Sequence, residues 1–289
     1  MKFEEAKNIH IDNISEFSSR IDLAEEQRAL EVSELSELVI NQLGQQHPKQ
    51  SYVNFLACFP KSRPKDRAMF LLRLTSGKKT DLSSWERGDT KGAVTPPGSH
   101  GKIAAVKNQY SENAFPLLSK AVIRPKVIFA QTFPEACEAV TDNKCQFCIL
   151  PTETSEGGRL FGFYSMLDRY ELKIYATCYV DTEDGSGSVK YALVGRSAPD
   201  RSSRAAERTL ECSIITKDGR FPSDIPDVLD IFGARLLRID SLPTEYDESQ
   251  NRYYLSFRLS EKNAILLDIY LSSGYPNYTQ IGLYPTIEK

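Results

Sequence analysis

From Ile103 to the end of the chain, short apolar runs alternate with amphipathic stretches so regularly that few architectures can accommodate them. Ile103–Val106, Lys126–Phe129 and Phe147–Leu150 have the length and composition of buried strands, and helical periodicity fills Ser111–Ala121 and Phe133–Val140 between them. Strands separated by helices at this spacing imply right-handed crossovers and a parallel α/β sheet. FGFYSMLDRY then reads as a helix and LKIYATCYV as a strand, and the turn DTEDGSGS leads into KYALVGR, the last strand of this part.

A different rhythm follows. Leu210–Thr216 is strand-like, Ile225–Phe232 helical, Arg235–Ser241 and Tyr253–Leu259 strand-like, Ala264–Leu271 helical and Tyr278–Tyr284 strand-like. That order is βαββαβ, the ferredoxin-like arrangement. The N-terminal third is less regular. Glu, Ala and Leu dominate Ile21–Leu43, which predicts one or two amphipathic helices, and Tyr52–Phe59 and Arg67–Leu74 read as a strand pair. Residues 78–101 are rich in Gly, Pro, Ser and charge and read as a linker, as do residues 197–208.

The expected organisation is a helical segment over 1–48, a strand pair and linker over 49–98 that complete the α/β lobe, that lobe over 99–197, and the βαββαβ domain over 207–289. With 36 basic and 39 acidic residues the net charge is −3, which argues against a nucleic-acid binder. The sequence shows neither a membrane-length apolar run nor a secretory start, so a cytoplasmic protein is expected. The six cysteines include one C-x-x-C, Cys145 and Cys148, but His10, His47 and His100 lie far upstream, so core thiols are expected and no metal or cofactor.

Residues 102–196 resemble the prephenate dehydratase family. The likeness is densest in TFPEACEAVTDNKCQFCILPTETSEGG, where Thr132, Phe133, Ala139 and Val140 match a Thr-Phe helix start and a later Ala-Val. Pro151, Thr152, Glu153, Thr154 and Ser155 stand at the family's Pro-Ile-Glu-Asn-Ser. Downstream, FGARLLRIDSLP resembles the ACT-domain stretch ending in Glu-Ser-Arg-Pro, through Gly233, Ile239, Asp240, Ser241 and Pro243. The resemblance implies a periplasmic-binding-protein-like lobe followed by an ACT-type ferredoxin-like domain, and a homodimer.

The chain also departs from that pattern. A dehydratase cleft lies between two lobes, whereas the span from Lys102 to Arg196 has room for one. If KYALVGR is the strand that returns from the second lobe, Val189, Lys190 and Tyr191 stand where the family has Thr-Arg-Phe. Alternatively KDRAMFLLRLTSGK completes the sheet, with Arg67 as the cation and Phe70 as the aromatic. The early Gly-Pro-x-Gly-Thr loop is replaced by KNQ before Tyr110 and Ser111, and Leu242 replaces the arginine of Glu-Ser-Arg-Pro.

The reaction implied by the resemblance removes carbon dioxide and hydroxide from prephenate, a dicarboxylate. It requires donors and a cation for the carboxylates and an acid for the departing oxygen. Ser111 at a helix start, Thr152, Thr154 and Ser155 at a strand end, and Lys190 or Arg67 are the candidate substrate-binding residues, and Gly233, Asp240 and Ser241 the candidate effector-binding ones. Ser and Thr in such places also serve as plain helix caps. No residue takes the catalytic role of the missing threonine. Two functions follow: a lyase acting on prephenate or a close analogue in aromatic amino-acid or related secondary metabolism, or a non-catalytic scaffold that senses an aromatic amino acid or pairs subunits.

Overall fold

The computed structural model describes residues 2–43, 52–53, 55–57, 63–76, 101–182, 185–196, 207–216, 220–243 and 250–288, with side chains left undescribed over 2–14, 39–43 and 74–76. Most of both expected linkers, residues 78–100 and 197–206, lies outside this set. The chain divides into two units, Met1–Thr80 and Asp81–Lys289.

In the first unit a single helix α1 spans Lys2–Leu43 and a second, α2, spans Pro64–Ser76. The strand pair expected over Tyr52–Phe59 and Arg67–Leu74 is therefore corrected: residues 52–53 and 55–57 are helical, and Arg67 lies within α2. The reason is legible in the side chains. AMFLLRL holds strong helix formers and no β-branched residue, Pro64 occupies the first helical position, and Asp66 complements the dipole in the first turn. Tyr52, Phe55, Phe70 and Leu71 are buried, and the rings of Phe55 and Phe70 stack with centroids 3.9 Å apart. Arg28 of α1 holds Asp66 at 2.7 Å.

The second unit is built on one sheet. Its strands are β1 (Lys102–Val106), β2 (Lys126–Ala130), β3 (Phe147–Thr154), β4 (Gly158–Arg159), β5 (Lys173–Asp181), β6 (Ser188–Gly195), β7 (Glu207–Thr216), β8 (Arg235–Pro243), β9 (Asn251–Ser260), β10 (Tyr278–Tyr284) and β11 (Thr286–Ile287). The helices between them are α3 (Gln109–Leu118), α4 (Phe133–Thr141), α5 (Phe161–Tyr170), α6 (Asp224–Leu229) and α7 (Glu261–Gly274). The strand order is β2-β1-β3-β6-β5-β10-β7-β9-β8, with β4 beside β3 and β11 beside β5.

The parallel sheet expected from the alternation is present in β2, β1 and β3. KYALVGR departs from it. As β6 it lies in the middle of the sheet, antiparallel to β3 on one side and β5 on the other. Every sequence-predicted strand from Ile103 onward has a counterpart, and so does every helix.

The last four long strands are ordered β10-β7-β9-β8, each pair antiparallel, which is the 4-1-3-2 order of a βαββαβ unit. This unit is joined edge to edge to the α/β part. Gly282 of β10 pairs with Ile174 of β5 in parallel, and Thr286 and Ile287 of β11 pair with Thr177 and Cys178. One core face shows the join in its composition, since Ala104, Cys148, Phe163, Leu167 and Val194 share a cluster with Tyr254, Ile281 and Tyr284. The opposite face of the α/β part is filled by α3, with Ala114 and Leu118 packed among Ile149, Cys178, Tyr191 and Leu193.

Candidate functional site

The C-terminal end of β3 is where an open α/β sheet offers a ligand its polar groups. Three of the candidate residues converge there, and each is already engaged. Thr152 is buried and its hydroxyl donates to the Lys190 carbonyl at 3.3 Å. The Thr154 hydroxyl accepts the Gly157 amide at 2.9 Å, closing the turn into β4. The Ser155 hydroxyl accepts the Ser188 amide at 2.9 Å and so fastens that turn to β6. Thr154 and Ser155 keep their own protons to donate.

Lys190 stands across from Glu153 on one neighbour and Tyr179 on the other, with its ammonium 5.7 Å from the Tyr179 ring centroid. Ser111 is buried in the first turn of α3, where the Asn108 side chain caps the helix by accepting the Ser111 amide at 2.8 Å. Its own hydroxyl has no well-formed hydrogen bond but faces Tyr191. Burial raises the Tyr191 pKa, and the Ser111 hydroxyl pulls it back. Arg67 belongs to the other unit, so residues 49–79 add no strand to the sheet among the described residues.

The effector candidates separate. Gly233 follows α6 with a positive φ of 58°, a backbone state suited to glycine, and its amide reaches the Asp230 carbonyl at 3.1 Å. Ser241 lies in β8 opposite Tyr253. Asp240 points into a buried polar network whose centre, Arg159, the sequence reading did not single out.

Arg159 sits in β4, 8% exposed, immediately after the Gly157-Gly158 turn. Its guanidinium reaches Glu211 of β7 and Asp240 of β8, each at 2.9 Å, and donates to the Ser256 hydroxyl of β9. The Tyr164 ring lies under it at 5.1 Å. Burial works against the Arg159 charge, but Glu211, Tyr164 and Asp240 outweigh it and raise the guanidinium pKa above its usual value. Glu211 is also satisfied at both oxygens by the hydroxyls of Tyr164 and Tyr284. Toward the surface, Arg238 holds Asp240 at 3.0 Å and approaches Glu153 at 3.8 Å.

Arg159, Arg238 and Lys190 thus face Glu153, Asp240 and Glu211, three cations against three carboxylates. Among the described residues, the cations here are thus matched in number by carboxylates, and Arg159 and Arg238 are each already held by one. Among the described residues no group of three or more His, Cys, Asp or Glu is arranged to hold a metal ion. Cys137, Cys145, Cys148, Cys178 and Cys212 are buried free thiols. No helix of the described residues is long and apolar enough to cross a membrane.

The network predicts an alkaline limit to stability. Burial, then the charge of Glu211, pushes the Tyr164 and Tyr284 hydroxyls well above the usual tyrosine range. Both stay neutral in the fold while the unfolded chain ionises near pH ~10. Their contribution is complete below that pH and is lost as pH rises toward the folded values, by up to about 1.4 kcal/mol per pH unit for each tyrosine. Urea midpoints measured from pH 9 to 11 should fall steeply past 10, and Tyr284→Phe should flatten the fall. A midpoint unchanged up to pH 11 would contradict this account.

Neither a family model nor a curated protein matches the chain. Solved structures do. A prephenate dehydratase from Streptococcus mutans superposes with a TM-score of 0.51 at 18% identity, covering 64% of this chain and 98% of that one. A structure described as a novel type of quorum-quenching acylase gives a TM-score of 0.50 at 18% identity, covering 64% of this chain and 94% of that one. The likeness is one of fold: a mixed α/β chain with a large sheet, distantly similar to prephenate dehydratase structures. Two different activities on similar folds leave function to be argued from the site.

Proposed function

We propose that the chain is a non-catalytic, prephenate-dehydratase-like scaffold whose βαββαβ unit is of the ACT type and senses a small aromatic amino acid. The observation that carries this reading is the join between β5 and β6. β5 ends at Asp181 and β6 begins at Ser188, so the strand that would return from a second lobe returns through a hairpin instead. Among the described residues, this connection supplies no strand or helix of a second lobe to face that strand. The rim where a substrate would sit is internally bonded and charge-balanced. Lys190 and Tyr191 supply a cation and an aromatic at the motif strand, but Val189 supplies no hydroxyl.

Incubation of the protein with prephenate, followed by ultraviolet absorbance and product analysis, should leave the substrate unchanged. Phenylalanine or tyrosine at about 100 times its Kd should raise the unfolding free energy by about 2.7 kcal/mol. Phenylpyruvate, or a decarboxylated product that keeps the ring hydroxyl, would overturn the non-catalytic reading. An unchanged unfolding midpoint at millimolar amino acid would overturn the sensing one.

A lyase acting on prephenate or a close analogue is the second reading, and one observation favours it. Thr154 and Ser155 accept backbone amides, so both hydroxyl protons remain available at the end of β3, and the Ser111 hydroxyl is buried without a well-formed hydrogen bond. In that reading these hydroxyls hold the substrate carboxylates. The product analysis separates the two.

A further inference from the structure

The second unit is net negative, with 24 basic and 28 acidic residues between Asp81 and Lys289, yet one end of its α/β part is basic. That end is where β1, β2, β3 and β5 begin and β6 finishes, opposite the rim formed by Thr152, Thr154 and Ser155. Lys126 and Lys102 are register partners at the starts of β2 and β1. Arg196 follows the Gly195 that pairs with Phe147 of β3, and Lys173 of β5 pairs with the same Gly195. Adjacent strands lie about 4.8 Å apart, so these four cations form a row about 19 Å long across five strands. Lys120 and Arg124, in the connection that leads into β2, widen it.

Among the described residues none of the six is in an ion pair. Asp142 and Asp168, carboxylates at the same end, hold cations of their own, Lys144 at 2.9 Å and Arg252, which leaves Glu138 and Glu171 to face the row. The connection into β2 is also fixed in place. Arg124 keeps a left-handed backbone, φ 50°, which a bulky side chain rarely adopts. The Arg124 and Ile123 carbonyl oxygens stand 2.7 and 2.9 Å from where a Cβ on Gly101 would lie, and the Lys126 amide donates to the Gly101 carbonyl at 2.7 Å. Strain of this kind persists only where the surrounding structure enforces it, and it clusters at working surfaces. At the tip Ile123 is 39% exposed, with Lys120 before it and Arg124 and Lys126 after it in the chain.

Charge complementarity calls for an anionic partner, and Ile123 narrows its form. A row of cations can follow a nucleic-acid backbone, but binding of that kind adds aromatic rings on which bases stack. Among the described residues the exposed rings of this unit, Phe129, Phe161 and Tyr179, stand toward the far ends of their elements. A purely ionic contact gives an apolar tip no role. An anionic planar surface with an apolar layer directly beneath it uses both features, headgroups for the cations and the acyl boundary for Ile123.

We propose that this end of the second unit lies on an anionic phospholipid surface, with Lys102, Lys120, Arg124, Lys126, Lys173 and Arg196 over the headgroups and Ile123 inserted beneath them. The contact is peripheral, requires no spanning helix, and does not depend on what the βαββαβ unit senses.

Co-sedimentation of the full chain with lipid vesicles is the test. The chain should pellet with an equimolar mixture of phosphatidylcholine and phosphatidylserine, stay in solution with phosphatidylcholine alone, and be released as salt approaches about 1 M, where charges are screened beyond about 3 Å. Each cation lost should weaken partitioning about fivefold, so Lys120→Gln/Lys126→Gln should bind about 25-fold less tightly. Arg235→Gln/Lys262→Gln, which removes two exposed cations of the βαββαβ unit, should bind as the wild type does. Ile123→Ser should weaken binding several-fold and leave its salt dependence intact. All five side chains are exposed, so the variants keep the fold. A wild type that stays in solution with the mixed vesicles at low salt overturns the proposal, as does wild-type binding by Lys120→Gln/Lys126→Gln. Tighter binding to a single-stranded oligonucleotide or to polyglutamate than to the vesicles, unaffected by Ile123→Ser, would make the partner a soluble polyanion and overturn the lipid assignment.

Discussion

Replacing Arg159 by methionine should lower the unfolding free energy by about 3–5 kcal/mol, the range found when one partner of a buried ion pair is removed. The size follows from what is left behind. Glu211 is 3% exposed, and without the guanidinium its charge is met only by the hydroxyls of Tyr164 and Tyr284. Asp240 falls back on Arg238 alone. Methionine fills much of the volume, so the loss reports unpaired charge rather than a cavity. Adding Glu211→Leu should recover part of the loss, because replacing both members of a buried pair costs less than replacing one. Urea denaturation of the two variants decides it. A single variant within about 1 kcal/mol of wild type would mean that water reaches Glu211, and that the network does not hold the two halves of the sheet together.

Much of this architecture was legible from Ile103 onward because strand and helix periods alternate there with little ambiguity. The strands of the βαββαβ unit and their order were legible for the same reason. The N-terminal third was harder, since a short apolar run such as AMFLLRL fits a buried strand and a buried helix equally well by periodicity. Pro64 and Asp66 were the available signals of a helix start, and the absence of β-branched residues agreed with them. The candidate site was legible as a place but not as a network. Thr152, Thr154 and Ser155 do converge at the end of β3, as strand position implies. Arg159 escaped because it follows two glycines in a turn and its partners Glu211, Asp240 and Ser256 lie 52 to 97 residues further along the chain, a separation that no local pattern encodes. Nothing in a strand's own sequence names its neighbour, so the edge-to-edge join of β5 with β10 was equally invisible.

That join makes Gly282→Val the second large expected effect. Gly282 is the residue of β10 that pairs with β5, at Ile174. A Cβ placed on it would stand 2.7 Å from the Ile174 carbonyl oxygen, 2.8 Å from the Ile174 Cβ and 2.9 Å from the Tyr284 ring. The first of these atoms is backbone in the middle of a sheet and cannot swing aside as a long side chain would. Overpacking a core ordinarily costs about 1–3 kcal/mol, and valine at a backbone approach this close should reach or exceed the upper end. The strain also has a direction, because relief comes from moving β10 away from β5, which loosens the Tyr164 hydroxyl of α5 from Glu211 and the β11 pairing at Thr177. Urea unfolding should therefore show a loss of about 3 kcal/mol or more, and hydrogen exchange should show faster opening of amides in residues 174–178 than in β9. A Gly282→Val protein with wild-type stability and wild-type protection over 174–178 would show that the two strands do not meet as closely as described, and that the α/β part and the βαββαβ unit are separable pieces rather than one continuous sheet.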